Sequence, residues 1–214
     1  MLRPASLLAL LWTVVGQPAL AADKPLLQVG TEMSAPGEIR PSQELVRVVL
    51  GAIDKDDVAQ LNDCIAEQGL KHADYAALLR AVRIDAGPGR KLWFVRPTLK
   101  PYCFALYGAH LFRYFWIEEQ LSSSLPHYRL LFKNGGDIFA VYRQQSHGLN
   151  DIEATGCIVS ECRSARMAFD GREYRPIRCS WTNRDAQKRE ITHARRCDSD
   201  DWRNDQSSGF FPDK

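Results

Sequence analysis

What this chain lacks narrows its possible roles first. Beyond its first 21 residues it has no segment apolar enough to cross a bilayer, which takes roughly 20 apolar residues. A helical membrane span is therefore not expected. It has no glycine-rich phosphate loop and no dinucleotide fingerprint, so the common sequence signs of nucleotide chemistry are missing. It has no C-x-x-C pair, and His72, His110, His127, His147 and His193 show no paired spacing, which argues against a zinc site. Asp198, Asp200 and Asp201 begin like a calcium loop. The fifth loop position is Trp202 and the invariant glycine is missing, which excludes an EF-hand. No metal and no cofactor are expected. Net charge is also scarce, at +2.

What is present starts at the N-terminus. Met1 and Arg3 give a positive start, Leu7 to Gly16 is an apolar run, and Pro18 breaks any helix. Ala19-Leu20-Ala21 matches the small-x-small pattern of a signal peptidase site. Residues 1–21 therefore read as a signal peptide, and the expected location is periplasmic or secreted. Export makes nucleic acid an unexpected partner. It also sets the chemistry of the six cysteines, Cys64, Cys103, Cys157, Cys162, Cys179 and Cys197. An even count in an exported chain reads as disulfides. Six cysteines allow about 15 pairings. Proximity favours Cys157–Cys162 and Cys179–Cys197, which leaves Cys64–Cys103. A bond closing that last loop contributes roughly 4 kcal/mol in the chain-entropy account.

The charge is unevenly spread. Between Arg163 and Arg196 there are ten Lys or Arg and four acids, a net of +6, whereas the tail from Cys197 has five Asp against Arg203 and Lys214, a net of −3. Such asymmetry can mark a face for an anionic partner, either an acidic protein or an anionic cell-wall polymer. It can equally be a solvated face with the acidic tail beside it. The partner-binding candidates are Arg163, Arg166, Arg172, Arg175 and Arg178. Alternation along strands separates them, so they cannot all join one patch.

Residues 22–40 are rich in Pro, Gly and Ser and read as a flexible leader. Residues 41–86 carry helical signals. Ser42 precedes Leu45, Val48 and Val49. Asp56 or Asp57 can cap a helix with Val58, Leu61 and Ile65, and Asp74 can cap a third with Tyr75, Leu78, Leu79 and Val82. Residues 87–197 read as an antiparallel β-rich domain, and 198–214 as an acidic tail. Strands are expected at Lys91–Val95, Tyr102–Tyr107 and His110–Glu118, with Gly108-Ala109 as the turn between the last two. Asn134-Gly135 between Tyr128–Phe132 and Ile138–Arg143 signals a second hairpin, and Asp170-Gly171 a third. Successive hairpins argue for an antiparallel sheet or partial barrel. The strand from His110 is apolar on both faces, which suits a central strand covered on both sides; an aromatic ligand groove is the other reading.

Two groupings could carry chemistry. Ser146, His147 and Asp151 are the residue types of a hydrolytic triad, although geometry and not spacing makes one. They are equally a glycine turn with Asp capping the next strand. Glu118 and Glu119 are adjacent on a strand and point to opposite faces, so they cannot flank one bond together. No residue is assigned a catalytic role.

His147-Gly148-Leu149-Asn150-Asp151-Ile152 leads into a strand, and Phe169-Asp170-Gly171-Arg172-Glu173-Tyr174 forms a later hairpin. This resembles the turn-and-hairpin units of small Gram-negative periplasmic β-proteins, among them lysozyme inhibitors and immunity proteins against cell-wall-degrading effectors. The resemblance spans roughly the last 90 residues and leaves out the cysteines and the helical region. It carries no inhibitory loop over residue by residue, and the basic stretch departs from what would block a cationic lysozyme. It implies a non-enzymatic binding protein, in its sharpest form an inhibitor or immunity protein. The alternatives are a cell-envelope hydrolase using His147 or Glu118, and a structural envelope protein that binds anionic wall polymer. The expected fold class is α+β: short N-terminal helices followed by a disulfide-stapled antiparallel sheet.

Overall fold

The aromatic strand organises the molecule. In a computed structural model, which describes residues 24–71, 74–87, 90–107, 112–121, 126–158, 161–185, 187 and 189–197, it is β4 (Phe112–Leu121). It lies between β3 (Arg90–Pro97) and β5 (Pro126–Gly136), and β2 (Leu79–Asp85) completes a four-stranded antiparallel sheet in the order β2-β3-β4-β5. A second antiparallel sheet has six strands: β1 (Leu27–Gly30), β6 (Ile138–Ser146), β7 (Leu149–Ile158), β8 (Glu161–Phe169), β9 (Tyr174–Arg184) and β10 (Glu190–Arg195), in the order β1-β6-β7-β8-β9-β10. The sheets do not close into a barrel.

Apolar residues on both faces of β4 are explained by cover on both sides. Phe112, Tyr114 and Trp116 are fully buried and turn toward the six-stranded sheet. The Tyr114 and Trp116 rings lie 4.8 and 5.9 Å from Phe139 of β6, and Trp116 Nε1 donates to Tyr174 Oη of β9 at 3.0 Å. Burying side chains of this size contributes about 1.5–3 kcal/mol each. The opposite face meets two helices, α1 (Gln43–Leu50) and α2 (Lys55–Glu67). Arg113 of β4 pairs with Asp57 of α2, and Lys133 Nζ of β5 donates to the Ala52 carbonyl between the helices. Ser42 caps α1 by accepting from Leu45 N–H at 3.3 Å. Asp54 stands at the N-cap of α2, so Asp56 and Asp57 fall in its first turn instead of capping it.

All six cysteines are paired, as Cys64–Cys103, Cys157–Cys162 and Cys179–Cys197. The first ties α2 to the segment after β3. Among the described residues no helix is long and apolar enough to cross a membrane. The signal segment, the acidic tail beyond Cys197 and the Gly108-Ala109 turn lie outside the described residues.

Several expectations are corrected. The stretch expected as a flexible leader holds β1, whose Leu27 and Val29 are buried and whose register on β6 runs Leu27↔Val141 to Gly30↔Ile138. Alternation in Leu27-Gln28-Val29 gives this strand an inward face that the surrounding Pro and Gly obscure. The expected third helix is a single 3-10 turn at Tyr75–Leu78 that passes into β2. Its short apolar run fits either period, and pairing with β3 decides for the strand. Tyr102–Tyr107 is not a strand. Cys103 is tethered to α2, a 3-10 turn covers Phe104–Leu106, and the Tyr102 ring stacks on Tyr107 at 4.6 Å. One buried cluster runs from Leu27 to Tyr174, so the expected boundary near residue 87 does not separate two cores.

Asn134-Gly135 is not a hairpin turn. Both residues lie inside β5, opposite Tyr114 and Arg113. The chain crosses from one sheet to the other at Asp137, whose N–H donates to the Thr155 carbonyl at 2.8 Å and whose carbonyl accepts from Thr31 N–H at 2.9 Å. Gly136 is required there by close approach: a Cβ would stand 2.8 Å from the Thr155 carbonyl oxygen. The Asp170-Gly171 hairpin does form, between β8 and β9, with Gly171 at φ 100°.

Candidate partner-binding surface

The register of the six-stranded sheet assigns each basic residue to a face. Ala154, Ala165, Cys179 and Arg195 form one row across β7–β10 on the core side, and Arg163, Trp181 and His193 lie in the next. Thr155, Ser164, Ser180 and Ala194 form a row on the opposite, outer face, beside Cys157, Cys162, Thr182 and Thr192.

The five candidate arginines therefore divide. Arg163 lies on the core-side face with its guanidinium 4.2 Å above the Trp181 ring, while Arg195 approaches that ring at 5.1 Å. Such cation–π contacts hold the indole between two cations. Arg163 also donates to Glu161 at 2.9 Å. Arg166 is on the outer face and buried. It lies 3.5 Å over the Tyr142 ring and 3.8 Å from the fully buried Asp151 carboxylate. Burial and the neighbouring Glu153 carboxylate push the Tyr142 phenol above its ordinary value. Arg178 is exposed on the outer face, 4.0 Å from Glu153. Arg172 and Arg175 belong to the β8–β9 turn region, and Arg175 bonds Asp170 at 2.7 Å and Glu173 at 2.8 Å. Farther along, Arg184 faces Glu190 and Arg189 faces Asp185.

This surface is thus a mixed-charge pattern, not a positive field. Asp170 shows the local logic. Main-chain N–H groups of Glu173 and Arg172, then the Arg175 cation, hold its carboxyl below the ordinary value. Between the charges stand hydroxyls bonded across strands, Thr155 with Ser164 at 2.7 Å and Thr182 with Thr192 at 2.9 Å. Ile177 is left exposed beside Arg178, and Ile158 and Ile191 are exposed on the core-side face of the same strands.

The other groupings are used structurally. Ser146 Oγ donates to Asp151 at 2.8 Å, so the acid is bonded to the serine and not to a histidine. His147 is exposed in a two-residue turn, at φ 50° beside Gly148 at φ 76°, the left-handed pair of a type I′ hairpin. Its ring lies over Gly171. Glu118 is buried and accepts from Arg129 at 2.8 Å and Gln120 at 2.9 Å, with Arg90 at 3.5 Å. Glu119 turns to the other face, where Lys91 and Trp93 Nε1 donate to it at 3.0 and 2.7 Å. Each carboxylate is occupied by cations or donors of the fold.

Sequence reasoning missed β10. Every one of its six residues is exposed. Its sequence offers little signal: Ile191 and Thr192 are β-branched, but no apolar-polar alternation marks the segment. No known family, no curated protein and no solved structure matches the chain.

Proposed function

We propose that this chain is an exported, non-enzymatic binding protein that holds a protein partner on the surface formed by β8, β9 and β10. In its sharpest form it is a periplasmic inhibitor or immunity protein acting on a cell-wall hydrolase or toxin. The observation that carries the reading is the outward side of β9 and β10. Arg175, Arg178 and Arg184 alternate there with Glu173, Glu153 and Glu190, next to exposed Ile177. A polyanion is attracted by net positive field, and these arginines already have acidic neighbours. A folded partner can instead match the pattern charge by charge and cover Ile177. Two disulfides within this sheet hold it in one shape, which lowers the ordering cost of association.

The test is capture from periplasmic extract on the immobilised protein, identification of what is retained, and measurement of its association rate at low and physiological ionic strength. A protein whose surface charges alternate, acidic where it meets the arginines, is expected, binding more slowly at the higher salt. Arg172→Glu with Arg178→Glu should slow it further and leave the fold intact. Retention of wall polymer instead of protein, or a rate indifferent to both salt and the double reversal, overturns the reading.

A further inference from the structure

Among the described residues, β10 is an unpaired edge of the six-stranded sheet. Edge strands are normally blunted by charged side chains, Lys above all, by Pro, by a bulge or by a covering element, and β10 keeps its charges to its two ends. Glu190-Ile191-Thr192-His193-Ala194-Arg195 contains neither Lys nor Pro, its register on β9 is unbroken, and all of it is exposed.

The phase of the main-chain bonds can be read across the sheet. Cys157 and Cys162 are opposite each other with Cα atoms 4.0 Å apart, the close spacing of a pair that exchanges no main-chain bonds. Alternation carried through β8 and β9 then points the N–H and C=O groups of Ile191, His193 and Arg195 at β9. Those of Glu190, Thr192 and Ala194 point outward. The bond from Asp185 N–H to the Arg189 carbonyl, 3.0 Å at the base of the β9–β10 hairpin, fixes the same phase independently.

We propose that two copies of this chain associate by antiparallel pairing of their β10 edges about a two-fold axis at His193. In such a pair, facing residues share one face of the sheet, so a symmetric register must centre on a single residue. Centring on Thr192 sets Arg189 against Arg195 of the second copy, like against like. Centring on His193 sets Glu190 against Arg196, Ile191 against Arg195 and Thr192 against Ala194. The outward N–H and C=O groups of Thr192 and Ala194 then meet their complements, and both ends of the ladder bring opposite charges together. The strand holds its own complement in its sequence. An edge pair alone falls below the area of a standard interface, about 1,200–2,000 Å², so the association is weak and concentration-dependent.

Sedimentation equilibrium of the disulfide-bonded chain across about 5–500 µM tests this, the range following from a small interface. The average mass is expected to rise from one chain toward two. Thr192→Pro removes an outward N–H and none of the bonds to β9, so it should abolish the rise and leave the fold in place. Thr192→Val keeps that N–H while losing the hydroxyl contact with Thr182, and should keep the rise. Glu190→Arg and Arg196→Glu should each weaken association about tenfold, because symmetry counts each change twice. The two together should restore it. A mass of one chain throughout, a rise that Thr192→Pro does not touch, or a double reversal that fails to restore association overturns the proposal. Where Thr192→Pro alone disturbs the fold, the charge reversals decide. A monomeric chain that still captures a protein partner separates this failure from failure of the binding function.

Discussion

Gly136→Ala probes the point where the chain changes sheets. A Cβ at this position would stand 2.8 Å from the Thr155 carbonyl oxygen and 3.3 Å from Tyr114 Oη. The first obstacle is backbone, and Asp137 N–H holds that same carbonyl at 2.8 Å, so β7 cannot retreat without loosening the crossover. The second belongs to a fully buried ring packed on Phe94, Phe112, Phe132 and Phe139. Neither neighbour can yield cheaply, so the cost is that of overpacking, about 1–3 kcal/mol. For a domain of this size each kcal/mol lowers the melting temperature by about 2–4 °C, so a fall of about 2–12 °C is expected. Thermal melts followed by near-ultraviolet circular dichroism, with the disulfides intact, measure it. Gly135→Ala serves beside it: Gly135 is a paired strand residue without left-handed backbone, and its replacement should cost less than about 0.5 kcal/mol. A Gly136→Ala protein that melts with the parent refutes the close approach. A larger loss at Gly135 than at Gly136 would return the turn to Asn134-Gly135.

His147 adopts φ 50° in a turn that suits Asn or Gly, so His147→Gly should raise stability by about 0.5–1 kcal/mol and leave partner capture unchanged. A hundredfold loss of a defined hydrolytic activity in that variant, with the fold preserved, would make His147 catalytic. Asp170 has a carboxyl lowered by the N–H groups of Glu173 and Arg172, so its contribution is present above its unfolded value, near 3.8, and is lost as pH falls through the folded one. Asp170→Ala should therefore lower stability at neutral pH and flatten its decline below that value; an unchanged acid limb in urea titrations contradicts this.

How much of this fold could be read from sequence depends on how far each signal reaches. The Asp170-Gly171 hairpin was legible because its cause is local: the Asp170 side chain accepts from the next residues and Gly171 supplies the left-handed backbone. Proximity along the chain favoured the cysteine pairing that forms without deciding it, and apolar residues on both faces marked the central position of β4. Asn134-Gly135 misled because its turn chemistry is also local, whereas the need for glycine next door comes from Thr155, on another strand. β1 was hidden for a similar reason. Its four residues become a strand through the edge that β6 offers, and nothing within residues 27–30 marks that edge.

The candidate surface marks the same boundary from the side of charge. A net of +6 between Arg163 and Arg196 counts only acids inside that window. Antiparallel pairing sets β7 beside β8, and β7 brings Asp151 to Arg166 and Glu153 toward Arg178. Both acids precede the window, so no local sum could include them. Strand alternation then sends Arg163 to the core-side face, against Trp181, and away from Arg166 and Arg178. The quantity a partner meets is consequently the order of charges along β9 and β10 and not their total. That order includes Glu190 and runs on to Arg195 and Arg196. An edge strand with its acid at one end and its cations at the other is suited to antiparallel pairing, in which the ends meet. Under the proposed function, reversing Arg172 and Arg178 should therefore matter more than adding salt alone: reversal changes the sign at fixed positions, and screening weakens every position alike.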